Sequence, residues 1–471
     1  MAYPYLLQFK PTVSLMDDAN GTRVQGPQGR SSRLVSPHPA LRWMLGQLVT
    51  GGMSAGALCE SALRQGERME PARLMYFLAR LEKQRFLSYT LVGTDAMPLA
   101  TLEPYVPGFA LAEIDIAAGA RYRLSRFAAI SRIGGEMVMA SPLGHARLVL
   151  QGPALAFAGS LALPQTLGEL AARPTMPPAD VCAALLGLLV SAGMAFPCDA
   201  QGLIPEDAHA SLQQWEPHDL HLHYRSRFGS TDSPVGGTYR FFGEKPPLPA
   251  CKKPMTEALI ELKRPDMDAL VQTDPPFSQV SESRRSIRQV GANPITLAAL
   301  GEFLYRSVGI RELNPITDET GYETSGRPVA SGGAMHDLEI YLFVNRCDNC
   351  ETGLYHYDAA HHRLEHLQVT QAHHQHMLAH AMRVSLMAEP PDVLLVMAAR
   401  FQRFNWKYEG IAHAERLKSV GALYQQMYLV ATAMNLAPCA LGLGDSGLFA
   451  AATGLDIHTE GSVGEFMLSA R

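Results

Sequence analysis

Five consecutive residues, Arg284-Arg285-Ser286-Ile287-Arg288, bring three guanidinium groups and one hydroxyl together just ahead of a predicted helix. Each guanidinium presents a planar fork of donors that matches the oxygens of a phosphate, and the serine adds a short hydroxyl donor. The stretch therefore predicts a phosphate-binding site. A solvated basic surface is the alternative that the cluster alone leaves open.

A second candidate is the glycine-rich loop from Ser325 to Ala334, which contains Ser331, Gly332 and Gly333. Glycines without side chains let the backbone approach a flat ligand closely, and the serine adds a donor. Taken alone, such a run is most often a turn. The loop leads directly into the apolar stretch Leu338 to Val344, which predicts a strand.

Histidine and cysteine spacings give no complete set of metal ligands. His376 and His380 stand one helical turn apart, but no carboxylate motif completes a catalytic zinc site. Cys347 and Cys350 form a lone CxxC without the second pair that structural zinc sites use. We therefore expect no metal, two thiols in a connecting loop, and solvated surface for the histidines at positions 361, 362, 366, 373, 374, 376 and 380.

Composition describes a folded globular protein. Of the 471 residues, 47% are apolar and 18% are charged, which excludes a largely disordered chain. The length predicts two or three domains. A net charge of -5 argues against a broad basic surface for nucleic acid, so small molecules or peptides are the expected partners.

Neither a membrane nor an export signal is expected. The stretch from Met1 to Leu15 lacks the order of a signal peptide. The longest apolar run, Val181 to Phe196, is shorter than the roughly 20 residues that span a bilayer. Scattered cysteines fit reduced thiols better than a disulfide framework. These features predict a cytoplasmic protein.

The first part of the chain predicts two winged-helix-like domains, residues 1–108 and 109–214. In the first domain, helices are expected to start near Ser36-Pro37, at Ser54 and at Pro71, followed by a strand-prone stretch. A similar order of elements then returns, which suggests an internal duplication. Few basic residues fall on the third helices, so we favour a peptide added as a strand at the edge of a wing over DNA.

The second part of the chain predicts a different architecture. Residues 215–254, rich in proline and glycine, are interpreted as a connecting segment and linker. Residues 255–471 mix helices and strands, which indicates an α+β domain. Within it, Thr296 is expected to cap a helix, and an amphipathic helix is predicted over Ser419 to Met434.

Four motifs of this second part together resemble the nitroreductase superfamily. They are the RRSIR cluster, the Arg-Pro-x-x-Ser-Gly-Gly loop ahead of a strand, the stretch Gly353 to Tyr357 (GLYHY), and the turn Ala440 to Gly444 (ALGLG). Within the superfamily the chain resembles the SagB-type dehydrogenases, which use FMN to oxidise thiazolines or oxazolines of ribosomally made peptides to thiazoles or oxazoles. The resemblance covers residues 215–471, and the front part is similar to the leader-peptide-binding domains of some members.

The resemblance implies a site for FMN formed between two subunits of a homodimer. The long helix from Ser419 would serve the dimer interface, or its apolar side would be plain core. The implied cofactor-binding residues are Arg284, Arg285, Ser286 and Arg288 at the phosphate and ribityl chain, Ser331, Gly332 and Gly333 along the isoalloxazine edge, and Gly442, Leu443 and Gly444 on its other side.

The catalytic pair of the family falls on Lys407 and Tyr408. Aromatising an azoline removes the acidic proton beside the carbonyl and passes a hydride to the flavin, so a base must face the substrate. A lysine desolvated in a cleft is expected to have a lowered pKa and act as the base, or to lower the pKa of the neighbouring phenol. Without the family match, the two residues read as an amphipathic surface pair.

The resemblance also implies partners and leaves alternatives. A peptide substrate, a leader peptide on the N-terminal domains, a cyclodehydratase partner and molecular oxygen as acceptor are implied, without nucleic acid or membrane. The alternatives are a nitroreductase-type enzyme that uses NAD(P)H on another substrate, and a non-enzymatic binding scaffold. Ala330, and His336 followed by Asp337, depart from the family pattern, so a looser or differently angled flavin loop is expected.

Overall fold

The computed structural model describes residues 5–471 except 19–20, 28, 36, 66–68, 107–108, 110, 112–113, 118 and 229–231. The chain divides into two units, Met1–Ser233 and Pro234–Arg471. This division falls inside the predicted connecting segment 215–254, whose first part belongs to one unit and whose remainder belongs to the other.

The first unit combines a six-stranded antiparallel sheet with two three-stranded sheets. Its strands are β1 (Tyr5–Phe9), β2 (Ser14–Asp18), β3 (Gly21–Gln25), β4 (Ser31–Leu34), β5 (Leu87–Val92), β6 (Pro98–Pro104), β7 (Arg121–Leu124), β8 (Ala129–Ile133), β9 (Glu136–Ala140), β10 (Ala146–Leu150), β11 (Gln165–Thr166) and β12 (Ala195–Pro197). Its helices are α1 (Pro39–Thr50), α2 (Ala55–Leu63), α3 (Pro71–Lys83), α4 (Pro153–Ser160), α5 (Leu167–Ala171), α6 (Ala179–Ser191), α7 (Pro205–Ala208) and α8 (Pro217–Arg225). The sheet orders are β1-β5-β6-β10-β9-β8, β11-β7-β12 and β2-β3-β4.

Local signals for the helices of this unit are borne out where they are described. Ser54 caps α2 by accepting a hydrogen bond from the backbone N–H of Ala57, and α3 begins at Pro71. The first helix begins at Pro39, and the predicted start at Ser36 lies outside the described residues.

The winged-helix description of the first unit is not confirmed. The six-stranded sheet takes β1, β5 and β6 from residues 1–108 and β8, β9 and β10 from residues 109–214. The pairing of β6 with β10, in which Leu102 lies opposite Leu148, joins the two stretches. Buried apolar residues of both form one core. The predicted boundary near residue 108 therefore runs through a single sheet, because strand pairing across long sequence distances leaves no trace in local periodicity.

The second unit is built on a seven-stranded sheet with the order β14-β21-β20-β18-β22-β25-β24. Its strands are β13 (Gly236–Gly237), β14 (Leu259–Glu261), β15 (Ile295–Thr296), β16 (Glu312–Asn314), β17 (Thr324–Gly326), β18 (Leu338–Val344), β19 (Cys347–Asp348), β20 (Gly353–Asp358), β21 (Arg363–Leu367), β22 (Val393–Arg400), β23 (Tyr408–Glu409), β24 (Ala437–Leu441) and β25 (Glu460–Ser469). Its helices are α9 (Met267–Thr273), α10 (Phe277–Ser283), α11 (Leu297–Val308), α12 (Gln371–Ser385), α13 (Phe401–Lys407), α14 (Ala412–Ala433) and α15 (Ser446–Thr453).

The seven-stranded sheet is buried on both faces. Side chains alternate along β18, so Ile340 and Leu342 pack in one core with α11 and α14, whereas Tyr341 and Phe343 pack in the other with α12 and α15. Every residue of β18 and of β22 is buried. The mixed α+β class predicted for this part of the chain is confirmed, with the sheet as the central of three layers.

Both helices predicted from local signals in the second unit are present, and the second of them is longer than predicted. Thr296 caps α11 by accepting from the backbone N–H of Ala299. The predicted helix from Ser419 begins earlier, at Ala412, directly after the Gly410 turn, where φ is +73°. Among the helices of the described residues, none is long and apolar enough to cross a membrane.

Candidate active site

Lys407 and Tyr408 lie at the junction of α13 and β23, and α13 directly follows the buried strand β22. The Lys407 ammonium donates a hydrogen bond to the Tyr322 hydroxyl, with 2.6 Å between Nζ and the oxygen. Nζ also lies 4.7 Å from the ring centre of Tyr322, 5.1 Å from that of Tyr408 and 5.3 Å from that of Tyr239. The ammonium is therefore surrounded by three phenol rings, an environment that favours a cation.

The glycine-rich loop meets this group at Gly333. The Tyr322 hydroxyl donates to the Gly333 carbonyl at 3.0 Å. A Cβ on Gly333 would lie 2.7 Å from Lys407 Nζ, 2.8 Å from the Tyr322 hydroxyl and 2.9 Å from the Tyr408 hydroxyl. The backbone there has φ +60°, which an L side chain rarely adopts. Three polar atoms thus converge on one glycine, and Gly332 beside it faces the Tyr408 ring. The structure brings together Lys407, Tyr408 and two of the predicted loop residues.

The pKa of Lys407 is raised, which does not agree with the first of the two alternatives from the sequence, a lysine with a lowered pKa that acts as the base. Burial by itself lowers it, but the hydrogen bond to Tyr322 and the nearby phenols outweigh that effect. Burial raises the pKa of the Tyr408 phenol, which the Lys407 charge partly opposes. The second alternative, a charged lysine that lowers the pKa of the neighbouring phenol, agrees with this environment, because Lys407 is only partly desolvated and has hydrogen-bond acceptors in reach.

The supposed linker is part of this site. Residues 236–237 pair with Tyr408–Glu409 as a short antiparallel ribbon, and the backbone N–H of Tyr239 donates to the Lys407 carbonyl at 3.0 Å. The rings of Tyr239 and Phe242 pack against Trp406, whose indole N–H donates to the Lys245 carbonyl at 2.7 Å. Residues 236–245, at the start of the second unit, therefore wrap Lys407 and Tyr408.

Arg403 holds the backbone around the pair and was missed in the sequence. Its buried guanidinium donates to the carbonyls of Leu248 at 2.6 Å, Glu323 at 2.7 Å and Met335. One side chain thereby ties the wrapping segment, the segment of Tyr322 and the glycine loop. No sequence signal distinguishes it from a surface arginine on the short helix α13.

The glycine loop, for which the sequence predicted a looser or differently angled conformation, is anchored to its surroundings. Asp337 and Arg416 form a fully buried ion pair at 2.7 Å. The Ser331 hydroxyl accepts from the backbone N–H of His336 at 3.2 Å. Burial, with the charges of Arg327 and Arg403 nearby, lowers the pKa of His336 to about 3, so the imidazole is neutral. The residues that depart from the family pattern thus fasten the loop to α14.

The arginine cluster is split between two sides of the chain. The Arg284 guanidinium lies 5.0 Å from the ring centre of Tyr428, and the Ser286 and Tyr428 hydroxyls are 2.7 Å apart. Burial raises the pKa of the Cys439 thiol, and Arg288 and Ser286 act on it in the opposite direction, which places both beside β24.

Arg285 points elsewhere. It lines a polar cavity with Gln279, Ser283, Asn435 and Arg471. Of the four residues predicted at the FMN phosphate and ribityl chain, Arg284, Ser286 and Arg288 lie on the side of Tyr428 and β24, and Arg285 lies on the other side.

The turn at Gly442 to Gly444 lies next to a buried carboxyl. A Cβ on Gly444 would overlap the Glu465 carboxylate, so a larger residue there would require the Glu465 side chain to move. Burial raises the pKa of Glu465 to about 7. Leu443 is 65% exposed, and its carbonyl lies 3.4 Å from the His380 imidazole. Tyr428 connects strand β24, which leads into this turn, to the arginine cluster, since the Tyr428 hydroxyl also accepts from the backbone N–H of Ala440 at 2.8 Å.

The predicted site residues form two groups at the two ends of α14. Glu415 lies beside Gly332, and Tyr428 lies beside Ser286. Thirteen residues of helix separate them, which corresponds to about 20 Å along the axis. Within one chain, the lysine-tyrosine group and the arginine group are therefore apart.

The dense histidines are not all solvated surface as expected. His362, His374 and His380 are buried. Buried His356 bridges the carboxylates of Glu339 at 3.1 Å and Glu365 at 2.9 Å, and these bonds raise its pKa to about 9 although burial opposes the charge. These histidines complete polar contacts inside the sheet and helix layers.

The cysteine pair lies where it was predicted. Cys347 and Cys350 are half-buried thiols between β18 and β20. Among the described residues, no three histidine, cysteine or acidic side chains gather as metal ligands.

Two family models match separate parts of the chain. Residues 122–232 match the model of the cyanobactin oxidase ThcOx, and residues 282–467 match that of the nitroreductase family. A protein of Methanocaldococcus jannaschii that is provisionally named a nitroreductase is 30% identical over 183 residues, which are 39% of this chain and 84% of that protein.

Solved structures of similar proteins include two from bacteria. One, provisionally named a nitroreductase, is from Ralstonia eutropha JMP134 and is 19% identical, with a TM-score of 0.36, over 50% of this chain and 97% of that one. The other is the Escherichia coli microcin synthetase McbBCD complex with truncated pro-MccB17 bound. It is 20% identical, with a TM-score of 0.34, over 42% of this chain and 74% of that one.

Proposed function

The chain belongs to the nitroreductase family, and from that premise we propose that it is an FMN-dependent dehydrogenase that oxidises azolines of a peptide to azoles. The family predicted from the four motifs is confirmed. The match of residues 122–232 to a cyanobactin oxidase favours a peptide substrate. The observation that carries the proposal is the convergence of Lys407, Tyr322 and Tyr408 on Gly333, since this gives a cation and phenol hydroxyls at one point.

The arginine group fits the phosphate of FMN. No ion pair among the described residues involves Arg284 or Arg288, and Ser286 contributes a hydroxyl on the same side. Guanidinium groups without carboxylate partners suit a phosphate dianion. When bound, FMN would supply the acceptor for the hydride that leaves the azoline ring.

Proton removal falls to the lysine-tyrosine pair. Because Lys407 donates its hydrogen bond to Tyr322 and has a raised pKa, we assign it the role of a fixed cation. Tyr408 in its phenolate form would then take the acidic proton beside the azoline carbonyl. Burial raises the pKa of this phenol, and the lysine charge opposes that rise and so favours the phenolate. The same charge favours the enolate that develops on the substrate carbonyl.

A homodimer completes the site in this proposal. One chain would supply the arginine group with the turn at Gly442 to Gly444, and its partner would supply the glycine loop with Lys407 and Tyr408. The separation of the two groups by about 20 Å of α14 supports this division.

Peptide recognition is assigned to the first unit. Strand β8 lies at an end of the six-stranded sheet, and all five of its residues are exposed. An extended leader peptide would add to such an edge through backbone hydrogen bonds. The proposed partner is a cyclodehydratase that forms the azoline, and the proposed final electron acceptor is oxygen. The proposed compartment is the reducing cytoplasm, because the cysteines are free thiols.

The proposal is tested with purified protein in two stages. First, the visible spectrum and the mass of any chromophore released by acid should show FMN near one per subunit. Second, a peptide with a thiazoline should lose two hydrogens per ring with uptake of oxygen, and NADPH should not be oxidised. Bleaching of the flavin by NADPH, with no change in the peptide, would favour a nitroreductase-type reductase instead.

Two variants place the chemistry at the pair. Lys407→Ala and Tyr408→Phe should keep FMN and lose oxidation of the peptide by at least about 100-fold, because general bases contribute on that order. Loss of FMN in either variant would assign that residue to cofactor binding.

A further inference from the structure

Tyr322 belongs to none of the motifs that identify the chain, yet its hydroxyl lies at the centre of the site. It is in the segment between β16 and β17 and is 3% exposed. Its single proton goes to the Gly333 carbonyl at 3.0 Å, so its oxygen accepts the proton of Lys407 at 2.6 Å. Both roles of the hydroxyl are thus in use, and the lysine is the donor.

The ring of Tyr322 is held without help from the hydroxyl. It packs edge-on against Trp406 at 6.2 Å between ring centres, and against Tyr239 at 6.5 Å. The Tyr322 carbonyl accepts from the Thr320 hydroxyl at 2.9 Å, and the next carbonyl, that of Glu323, accepts from Arg403. Removing the hydroxyl would therefore leave the ring and its backbone in place.

The groups that face Lys407 are phenols. The contributions that raise its pKa come from Tyr322, Tyr408 and Tyr239, and the carboxylate of Glu415 faces Tyr408 and Gly332 from α14. Lys407 takes part in no ion pair among the described residues. The phenol hydroxyl of Tyr322 is thus the acceptor that fixes the position of the ammonium.

We propose that Tyr322 is a positioning residue that holds Lys407 protonated and aimed at Tyr408. This inference rests on the proposed function for its catalytic meaning, whereas the hydrogen bond from Lys407 to Tyr322 is observed whatever the reaction. In Tyr322→Phe, the ammonium loses the hydrogen-bond acceptor that lies 2.6 Å from Nζ and keeps the Tyr239 and Tyr408 phenols, so the neutral amine becomes more populated at a given pH.

The test measures the ionisation of Lys407 directly. Trace acylation of the protein as purified with acetic anhydride, followed by mass spectrometry of the peptide that contains Lys407, reports the fraction of neutral amine. At pH 8, Tyr322→Phe should acylate Lys407 about fivefold faster than the wild type, which corresponds to one net hydrogen bond. At high pH, where the amine is neutral in both proteins, the two rates should agree, which separates ionisation from access.

A matched control is Tyr355→Phe. It removes another largely buried phenol hydroxyl, which donates to the Glu351 carbonyl at 2.9 Å, and it leaves Lys407 untouched. The control should acylate like the wild type. Equal rates for Tyr322→Phe and the wild type at pH 8 would overturn the inference, as would a difference that persists at high pH.

Activity distinguishes this inference from the proposed function. If the wild type oxidises thiazoline peptides, Tyr322→Phe should lower kcat by about 10- to 100-fold with little change in KM, since a misplaced ammonium fails in the transition state. If the wild type does not oxidise them, the proposed function fails while the acylation result still decides the role of Tyr322. Normal turnover with normal acylation in the variant would overturn the role and leave the function standing.

Discussion

Replacing Gly333 with alanine tests the convergence at the glycine loop. The substitution places a methyl group at a backbone position with φ +60° and within 2.9 Å of three polar atoms, those of Lys407, Tyr322 and Tyr408. The neighbouring Gly332 provides the matched control. Its φ lies outside the left-handed region, and a Cβ there would meet the Tyr408 hydroxyl at an ordinary 3.4 Å.

The expected loss of stability follows from three contributions. The left-handed conformation costs an alanine about 1–2 kcal/mol. The stiffer unfolded chain offsets about 0.4–1 kcal/mol of this. Moving Lys407 away from Tyr322 forfeits about 1 kcal/mol of hydrogen bonding. Gly333→Ala should therefore lower the unfolding free energy by about 1–2.6 kcal/mol. Gly332→Ala keeps only the unfolded-state effect and should be neutral or slightly stabilising.

Denaturant unfolding followed by tryptophan fluorescence measures both variants, and Trp406 reports from beside the site. The quantity of interest is the difference between the two alanine variants, because overall effects of the substitution cancel. Equal stabilities would refute the geometry at Gly333. Destabilisation of Gly332→Ala alone would refute the assignment of the left-handed position.

Three further predictions concern the cofactor and the buried charges. Arg288→Ala should weaken FMN retention by about 10- to 100-fold, as loss of a charge-assisted hydrogen bond does, whereas Arg285→Ala should leave it unchanged; equilibrium dialysis compares them. Asp337→Asn should lower the unfolding free energy by about 3–5 kcal/mol, because it leaves the buried Arg416 charge without its ion-pair partner. The double variant Asp337→Leu with Arg416→Met should recover most of this loss, which thermal unfolding of both variants measures. Because the pKa of His356 is raised to about 9, the stability it contributes is present in full below the unfolded pKa of 6.5 and is lost as pH rises through 9. Between pH 7 and pH 9.5, the unfolding free energy of the wild type should therefore fall more than that of His356→Gln.

Much of the second unit could be predicted from local patterns. Caps such as Thr296 and apolar runs such as Leu338 to Val344 encode their elements within a few residues, so they were found where expected. The pairing of β6 with β10 in the first unit was not predicted, since it depends on contacts that no local period reports. Separate domains were therefore predicted where one sheet exists.

The site shows the same division. Glycine requirements, a lysine-tyrosine pair and an arginine-serine cluster are visible as residue types, because only certain side chains can do their chemistry. In an extended chain, alternate side chains point to opposite sides, so the sequence could place Arg285 and Ser286 on different sides. Only the packing of Ser286 against Tyr428 decided which of the two sides lies beside β24 and which lines the polar cavity.

The sequence by itself determined the family, the α+β class of the second unit and the identity of Lys407 and Tyr408 as candidate groups. Only the tertiary structure decided the ionisation of the lysine, since its pKa depends on a hydroxyl 85 residues away in the chain. The same holds for the Arg403 contacts that tie three segments together. Residue types are written in the chain, whereas burial and partners arise when distant segments pack, and these set charge and position.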